Sequence, residues 1–165
     1  MLEDTPLALD AETLKDGPSC WETAVSEIYN LRPECIMSTS ILERVGHRLV
    51  KLSVQSSGCG DHEADSVSKG LSKLKVLQAL KLDPLQSVTR LTETQVTDRG
   101  AVAIASALQH LKQLQKVTMD FDCTQVADAG AIAVSNALQH LKQLKNTRLI
   151  FASTRVTDAG AVAIG

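Results

Sequence analysis

Residues 125–144, QVADAGAIAVSNALQHLKQL, restate residues 95–114, QVTDRGAVAIASALQHLKQL, thirty positions on, and residues 155–165, RVTDAGAVAIG, begin the phrase again. Self-similarity at such a period implies supersecondary units that cannot each bury an apolar face alone, so that copies must stack on one another. This constrains the chain more tightly than its length or composition does.

Each unit opens with apolar residues spaced L-x-x-L-x-L: Leu49, Leu52 and Val54, then Leu77, Leu80 and Leu82, then Leu114, Val117 and Met119, then Leu144, Thr147 and Leu149. The central positions 52, 80, 117 and 147 are separated by 28, 37 and 30 residues, and the long interval predicts an insertion near DPLQSVT. A helical stretch follows each strand-like piece. In the third unit the spacing predicts a helix with Asp128 as N-cap, an apolar stripe through Ile132 or Ala133, Asn136 or Ala137, Leu138 and Leu141, and Lys142 and Lys145 near the C-terminal end. Ala101, Ala103 and Ala107, with their counterparts Ala131, Ala133 and Ala137, allow neighbouring helices to approach closely. Gly100, Gly130 and Gly160 recur at one place, where close approach of neighbouring backbones is expected to exclude a side chain.

Ahead of the repeats, residues 1–18 read as a flexible acidic leader interrupted by Pro6, Gly17 and Pro18, and residues 19–48 as a short helical segment. Within it, CWETAVSEIYNLRP places Trp21, Val25, Ile28 and Leu31 on one helical stripe that ends before Pro33. STSILERVGHRL then offers a second short helix with the stripe Ile41, Val45 and Leu49. Residues 49–165 are the repeats, the last of them incomplete and therefore expected to belong to a longer array.

Composition narrows the function. The net charge of -2 gives no pull toward nucleic acid or an anionic membrane. It divides into an acidic stretch over residues 1–38, with eight acids against Lys15 and Arg32, and a mildly basic remainder. Trp21, Tyr29, Phe121 and Phe151 are the only aromatic residues, too few for the stacking platforms that bind single-stranded nucleic acid. Cys20, Cys35, Cys59 and Cys123 are far apart, and the acidic, proline-broken start is neither a secretory signal nor a membrane span. Reduced thiols and a cytoplasmic location are the expectation.

The third unit, with Leu114, Val117, Met119, Cys123, Val126, Gly130, Val134 and Leu138, resembles the leucine-rich repeat family in its long, ribonuclease-inhibitor-like class. The resemblance runs from about residue 49 to the last residue. It departs from the family pattern in the insertion, in Glu93 and Ser153 where Cys123 stands, and in the thirty-residue period. It implies an α/β solenoid, with a curved parallel sheet on the concave side and helices on the convex side, preceded here by short helices. It further implies protein recognition by the concave face, and that Cys123 satisfies backbone carbonyls inside its loop. The TDAGAVAI and ALQHLKQL segments look especially like the repeat region of NLR-type cytosolic immune receptors, in which such repeats sense ligands and hold the receptor inactive. The phosphate-binding loop of those receptors, G-x-x-x-x-G-K-[ST], does not occur in this sequence.

Alternation along a strand directs Thr118, Asp120 and Asp122 to the concave surface if Val117, Met119 and Phe121 point inward. An offset of thirty adds Arg148, Ile150 and Ala152 on one side and Val88, Arg90 and Thr92 on the other, so that Arg90 and Asp120 are expected to pair across the sheet. Arg90, Thr118, Asp120, Asp122, Arg148 and Ile150 are thus the candidate partner-binding residues. His110 and His140, at equivalent helix ends, read as surface residues rather than metal ligands, and CGDH, containing Cys59, Asp61 and His62, reads as a turn after a strand. No metal, cofactor or catalytic group is expected. The function expected is non-enzymatic protein recognition within an NLR-like receptor. The alternatives are a stand-alone intracellular regulator, either a ribonuclease-inhibitor-like inhibitor or a ubiquitin-ligase substrate adaptor, and a structural piece whose helices pack on a neighbouring domain.

Overall fold

The computed structural model describes residues 27–31, 46–55, 60–83 and 96–164. Over these residues strands and helices alternate: β1 (Glu27–Leu31), β2 (Lys51–Gln55), α1 (Asp61–Leu71), β3 (Ala79–Asp83), α2 (Asp98–Leu108), β4 (Lys116–Asp120), α3 (Asp128–Gln139), β5 (Asn146–Ile150) and α4 (Asp158–Ile164). The five strands form one parallel sheet in the order β1-β2-β3-β4-β5. Parallel neighbours require a crossover, and from β2 onward α1, α2 and α3 lie between successive strands.

Register follows the apolar spacing. Leu52 lies beside Leu80, Leu80 beside Val117, and Val117 beside Thr147, while Val54, Leu82, Met119 and Leu149 form the next row. A repeated device fixes where each pairing starts: the carbonyl oxygen of Val50 accepts from the N–H groups of Gln78 and Ala79, that of Gln78 from Gln115 and Lys116, and that of Gln115 from Lys145 and Asn146. A one-residue slip would turn every leucine of the strand to the other face, so burial enforces the register.

The core lies between the sheet and the helices. Leu52, Leu80, Val117 and Met119 meet Val67, Leu71, Ile104, Leu108, Val134 and Leu138 there, and Phe121 and Val126 close its edge. Full burial of one such side chain stabilises by about 1.5–3 kcal/mol. Of the alanines expected to let helices approach, Ala101, Ala107, Ala131 and Ala137 are buried, whereas Ala103 and Ala133 are half-buried. The rings of Phe121 and Phe151 stack in parallel across adjacent units, with centroids 5.1 Å apart and planes 8° from each other.

The first segment departs from the sequence expectation. Residues 27–31, expected at the end of a helix, form β1 and pair Glu27, Ile28 and Leu31 with Lys51, Leu52 and Val54. Capping the edge of β2 satisfies a row of backbone groups, and that tertiary demand overrides a stripe that local spacing reads as helical. The rest of the 19–31 stripe, residues 32–45 and the insertion near residues 83–89 lie outside the described residues, apart from Asp83 at the end of β3. Of the second expected helix, residues 46–48 form a turn and Leu49 is fully buried as the first leucine of the β2 unit. No helix among the described residues is long and apolar enough to cross a membrane.

Candidate functional site

With Leu52, Leu80, Val117 and Met119 turned into the core, the alternate residues of each strand occupy the sheet face that no described helix covers. Register orders them into rows. Lys51, Ala79, Lys116 and Asn146 make the first, Ser53, Lys81, Thr118 and Arg148 the second, and Asp120 stands beside Ile150 in the third. Neighbouring parallel strands lie about 4.8 Å apart, which places Lys81 and Arg148 about 10 Å from each other with Thr118 between them. Lys51, Ser53, Lys81, Lys116, Thr118, Asp120, Arg148 and Ile150 line one open groove of about 730 Å³. Four cations stand in its first two rows, and the Asp120 carboxylate in the third.

Of the residues expected at this face, Thr118, Asp120, Arg148 and Ile150 come together on it. Asp122 does not: it lies in the turn after β4, where its N–H donates to Asp120 Oδ1 at 2.9 Å. Arg90 lies outside the described residues, as do Val88 and Thr92, and the strand beside β4 is Ala79–Asp83, so Lys81 holds the position next to Thr118. The insertion makes the interval 37 residues here, and an offset of thirty overshoots the strand. Lys51, Lys81 and Lys116 were not among the expected residues, although the register implicit in L-x-x-L-x-L would have found them.

Cys123 does not satisfy carbonyls inside its loop. It is exposed, with φ 55°, and its thiol lies 3.5 Å from Asp122 Oδ1. Thr124 does that work instead: its buried hydroxyl donates to the Phe121 carbonyl at 2.7 Å, and Thr154 repeats the bond to Phe151 at 2.7 Å. Leu114, Val117, Met119 and Val126 are buried as expected.

A second constellation, at the helix starts, joins the units. Asp128 is not the N-cap of its own helix, because Ala127 is. Its Oδ1 reaches the next unit and accepts from the N–H groups of Thr157 at 2.7 Å and Gly160 at 3.0 Å, while Oδ2 accepts from the Thr157 hydroxyl at 2.7 Å. Asp98 accepts from Ala127 at 2.7 Å and Gly130 at 2.9 Å, and Asp61 from Thr97 at 2.8 Å and Gly100 at 3.0 Å. Each carboxylate thus fills the capping role for its neighbour, taking two of the free amides that open a helix at its positive end. The Thr157 hydroxyl, then its N–H and that of Gly160, hold the Asp128 carboxyl below its ordinary pKa despite some desolvation.

The glycines follow from the carboxylates. A Cβ at Gly100, Gly130 or Gly160 would lie 2.6, 2.7 or 2.5 Å from the Oδ1 of Asp61, Asp98 or Asp128. The expected reason, approach of neighbouring backbones, is corrected: a side-chain oxygen is the nearest atom at all three positions. The CGDH stretch is corrected too, because Gly60 is the N-cap of α1 and Asp61 begins the helix.

His110 and His140 are exposed, and His140 Nδ1 lies 2.6 Å from the Asn136 carbonyl oxygen. Among the described residues no three His, Cys, Asp or Glu side chains are grouped to hold a metal ion. No protein-family model matches the chain, and no curated protein matches it.

Proposed function

We propose that the chain is a non-enzymatic protein-recognition module of the leucine-rich repeat type, serving as the ligand-sensing or autoinhibitory repeat region of an NLR-like cytosolic receptor. Its units stack into a curved solenoid whose concave face is the open face of the sheet. The observation that carries the reading is that face, five strands wide and uncovered by described helices, with Lys51, Lys81, Lys116 and Arg148 set across four neighbouring strands. Such spacing suits an extended polypeptide segment rich in Asp or Glu, which gains association rate and specificity from complementary charge. Peptide-display selection on the full chain tests the reading. Acidic segments whose binding weakens with added salt are expected, and enrichment of uncharged or basic segments would reject the charge argument.

A second reading, a structural piece that packs by its helices, is favoured by one feature. Val102, Ile132 and Val162 occupy equivalent outward positions on α2, α3 and α4 and are 42%, 37% and 81% exposed. Under that reading, replacing Val102 and Ile132 with serine weakens association with a neighbouring domain and leaves peptide binding at the open face unchanged.

A further inference from the structure

The connections that lead from each helix to the next strand gather positive charge at one end of the molecule. Those after α1, α2 and α3 make the same turn: the N–H groups of Leu74, Leu111 and Leu141 donate to the carbonyl oxygens of Leu71, Leu108 and Leu138 at 2.9, 2.9 and 3.0 Å. Lys75, Lys112 and Lys142 directly follow these leucines and are exposed, so they stand in one row. The row repeats at an interval between the strand spacing of about 4.8 Å and the helix spacing of about 8–10 Å. Lys51, Lys116 and Lys145, also exposed, add a second row where β2, β4 and β5 begin. Residues 46–50, 72–78, 109–115 and 140–145 contain no Asp or Glu. Glu27, in register with Lys51, is the one acid at this end among the described residues.

The acids stand at the opposite end. Asp61, Asp98, Asp128 and Asp158 begin the helices, and Asp83 and Asp120 end β3 and β4. A strand of five residues is about 16 Å long, whereas charges are screened over about 8 Å at physiological ionic strength. The two ends therefore act on a partner separately, and the net charge of -2 does not describe the lysine-bearing end. A cation near a helix C-terminus is favoured for its own sake, but Lys51, Lys116 and Lys145 stand at strand starts, which that explanation does not reach. Because the strands start in register and the turns are alike, the lysines lie on a flat end face and not in a groove. No apolar residue of these connections is exposed, and none of their residues is Phe, Tyr or Trp.

We propose that this end face is a docking surface for the anionic headgroups of a lipid bilayer, on which the chain adsorbs without inserting. A planar leaflet meets both lysine rows at once, and each Lys or Arg close to it strengthens adsorption by about fivefold. A nucleic-acid duplex is a cylinder that touches fewer of them, and a single strand calls for stacking rings that the face lacks. The acidic end of a second copy is a poor occupant, because Asp61, Asp98 and Asp128 already accept from the amides of the next unit. Docked in this way, the strands stand upright on the leaflet, with the open sheet face accessible from the side and the acidic end turned away from the lipid.

Co-sedimentation of the full chain with phosphatidylcholine vesicles that contain or lack phosphatidylserine tests this. Binding only to the phosphatidylserine vesicles is expected, and it should fall by about tenfold or more between about 0.1 M and about 0.5 M salt. Lys112→Gln with Lys142→Gln should weaken it by about tenfold or more, and Arg99→Gln with Arg155→Gln, at the opposite end, by less than about threefold. Lys112→Arg with Lys142→Arg keeps the charge and should bind as the normal chain does. Equal binding to both kinds of vesicle, equal weakening by the two Gln pairs, or loss of binding in the Arg pair overturns the proposal. A DNA duplex held through Lys112 and Lys142 by a chain that leaves phosphatidylserine vesicles unbound would assign the face to nucleic acid instead.

Discussion

Asp98 Oδ1 accepts the backbone N–H of Gly130, in the next unit, at 2.9 Å, and a Cβ on Gly130 would lie 2.7 Å from that same oxygen. The two residues define each other: the carboxylate supplies the cap that the α3 start lacks in its own Ala127, and glycine makes room for it. Asp98→Ala is therefore expected to lower stability by about 1 kcal/mol, the ordinary worth of a helix cap. Gly130→Ala should destabilise the normal chain but cost less in the Asp98→Ala background, with a coupling of about 0.5 kcal/mol or more in chemical unfolding. Strict additivity would separate the glycine from the carboxylate.

The Asp128 carboxyl has its pKa lowered in the folded chain, by the Thr157 hydroxyl first. A depressed folded pKa contributes stability that is fully present above the unfolded value, near 3.9, and is lost as pH falls through the folded value. Docking of α4 onto α3 should thus be insensitive to pH between about 7 and 5 and weaken below about 4. Hydrogen exchange at Thr157 and Gly160, referenced to Asp128→Asn, reads this directly. The normal chain should lose protection on acidification relative to the variant, and parallel profiles would remove Asp128 from the account.

Cys123 and Ser153 adopt left-handed backbone conformations, with φ 55° and 52°, without being glycine. Side chains at such positions are strained by about 1 kcal/mol or more, and glycine relieves that strain while giving back part of it as chain entropy. Cys123→Gly is expected to raise stability by about 0.5 kcal/mol, since its thiol is exposed and its N–H bond to the Ala152 carbonyl is kept. A loss of stability in thermal unfolding would show that the side chain matters more than the backbone.

Thr124 is buried and its hydroxyl both donates to the Phe121 carbonyl at 2.7 Å and accepts from the Val126 N–H at 3.4 Å. Thr124→Ala should cost about 1 kcal/mol or more, and Thr124→Ser should recover most of it by keeping the oxygen. Equal losses for both would assign the effect to the missing methyl group.

The legible part of the fold was what one repeat states about itself. L-x-x-L-x-L places strands β2 to β5, and the stripe through Ala137 and Leu138 places α3, because burial on one face writes a period into the sequence. What was missed lies between units. Asp128 looked like the cap of its own helix, since nothing in a single copy says that its carboxylate points to the next one. The signal available was the joint recurrence of D-x-G at Asp98 and Gly100, Asp128 and Gly130, and Asp158 and Gly160. At Asp61 the third residue is Glu63 instead of glycine, and Glu63 Oε2 accepts from the Gly60 N–H within the start of α1 itself. On the open face, Thr118, Asp120, Arg148 and Ile150 followed from alternation, whereas Lys81 was missed because the offset between β3 and β4 is not thirty. β1 was read as helix because an edge strand is specified by its neighbour's unpaired backbone, which no local pattern reports.

The central claim, that the open sheet face recognises an acidic polypeptide segment, is tested most directly by the affinity of one glutamate-rich probe peptide for two charge-reversed variants. Lys116→Glu with Arg148→Glu changes the open face, and Arg99→Glu with Lys142→Glu changes the exposed helical side by the same net charge. The account predicts that the first pair weakens binding by about tenfold or more and the second by less than about threefold, since screened charges away from the contact act weakly. Equal weakening by both pairs, or binding unaffected by the first, would contradict it.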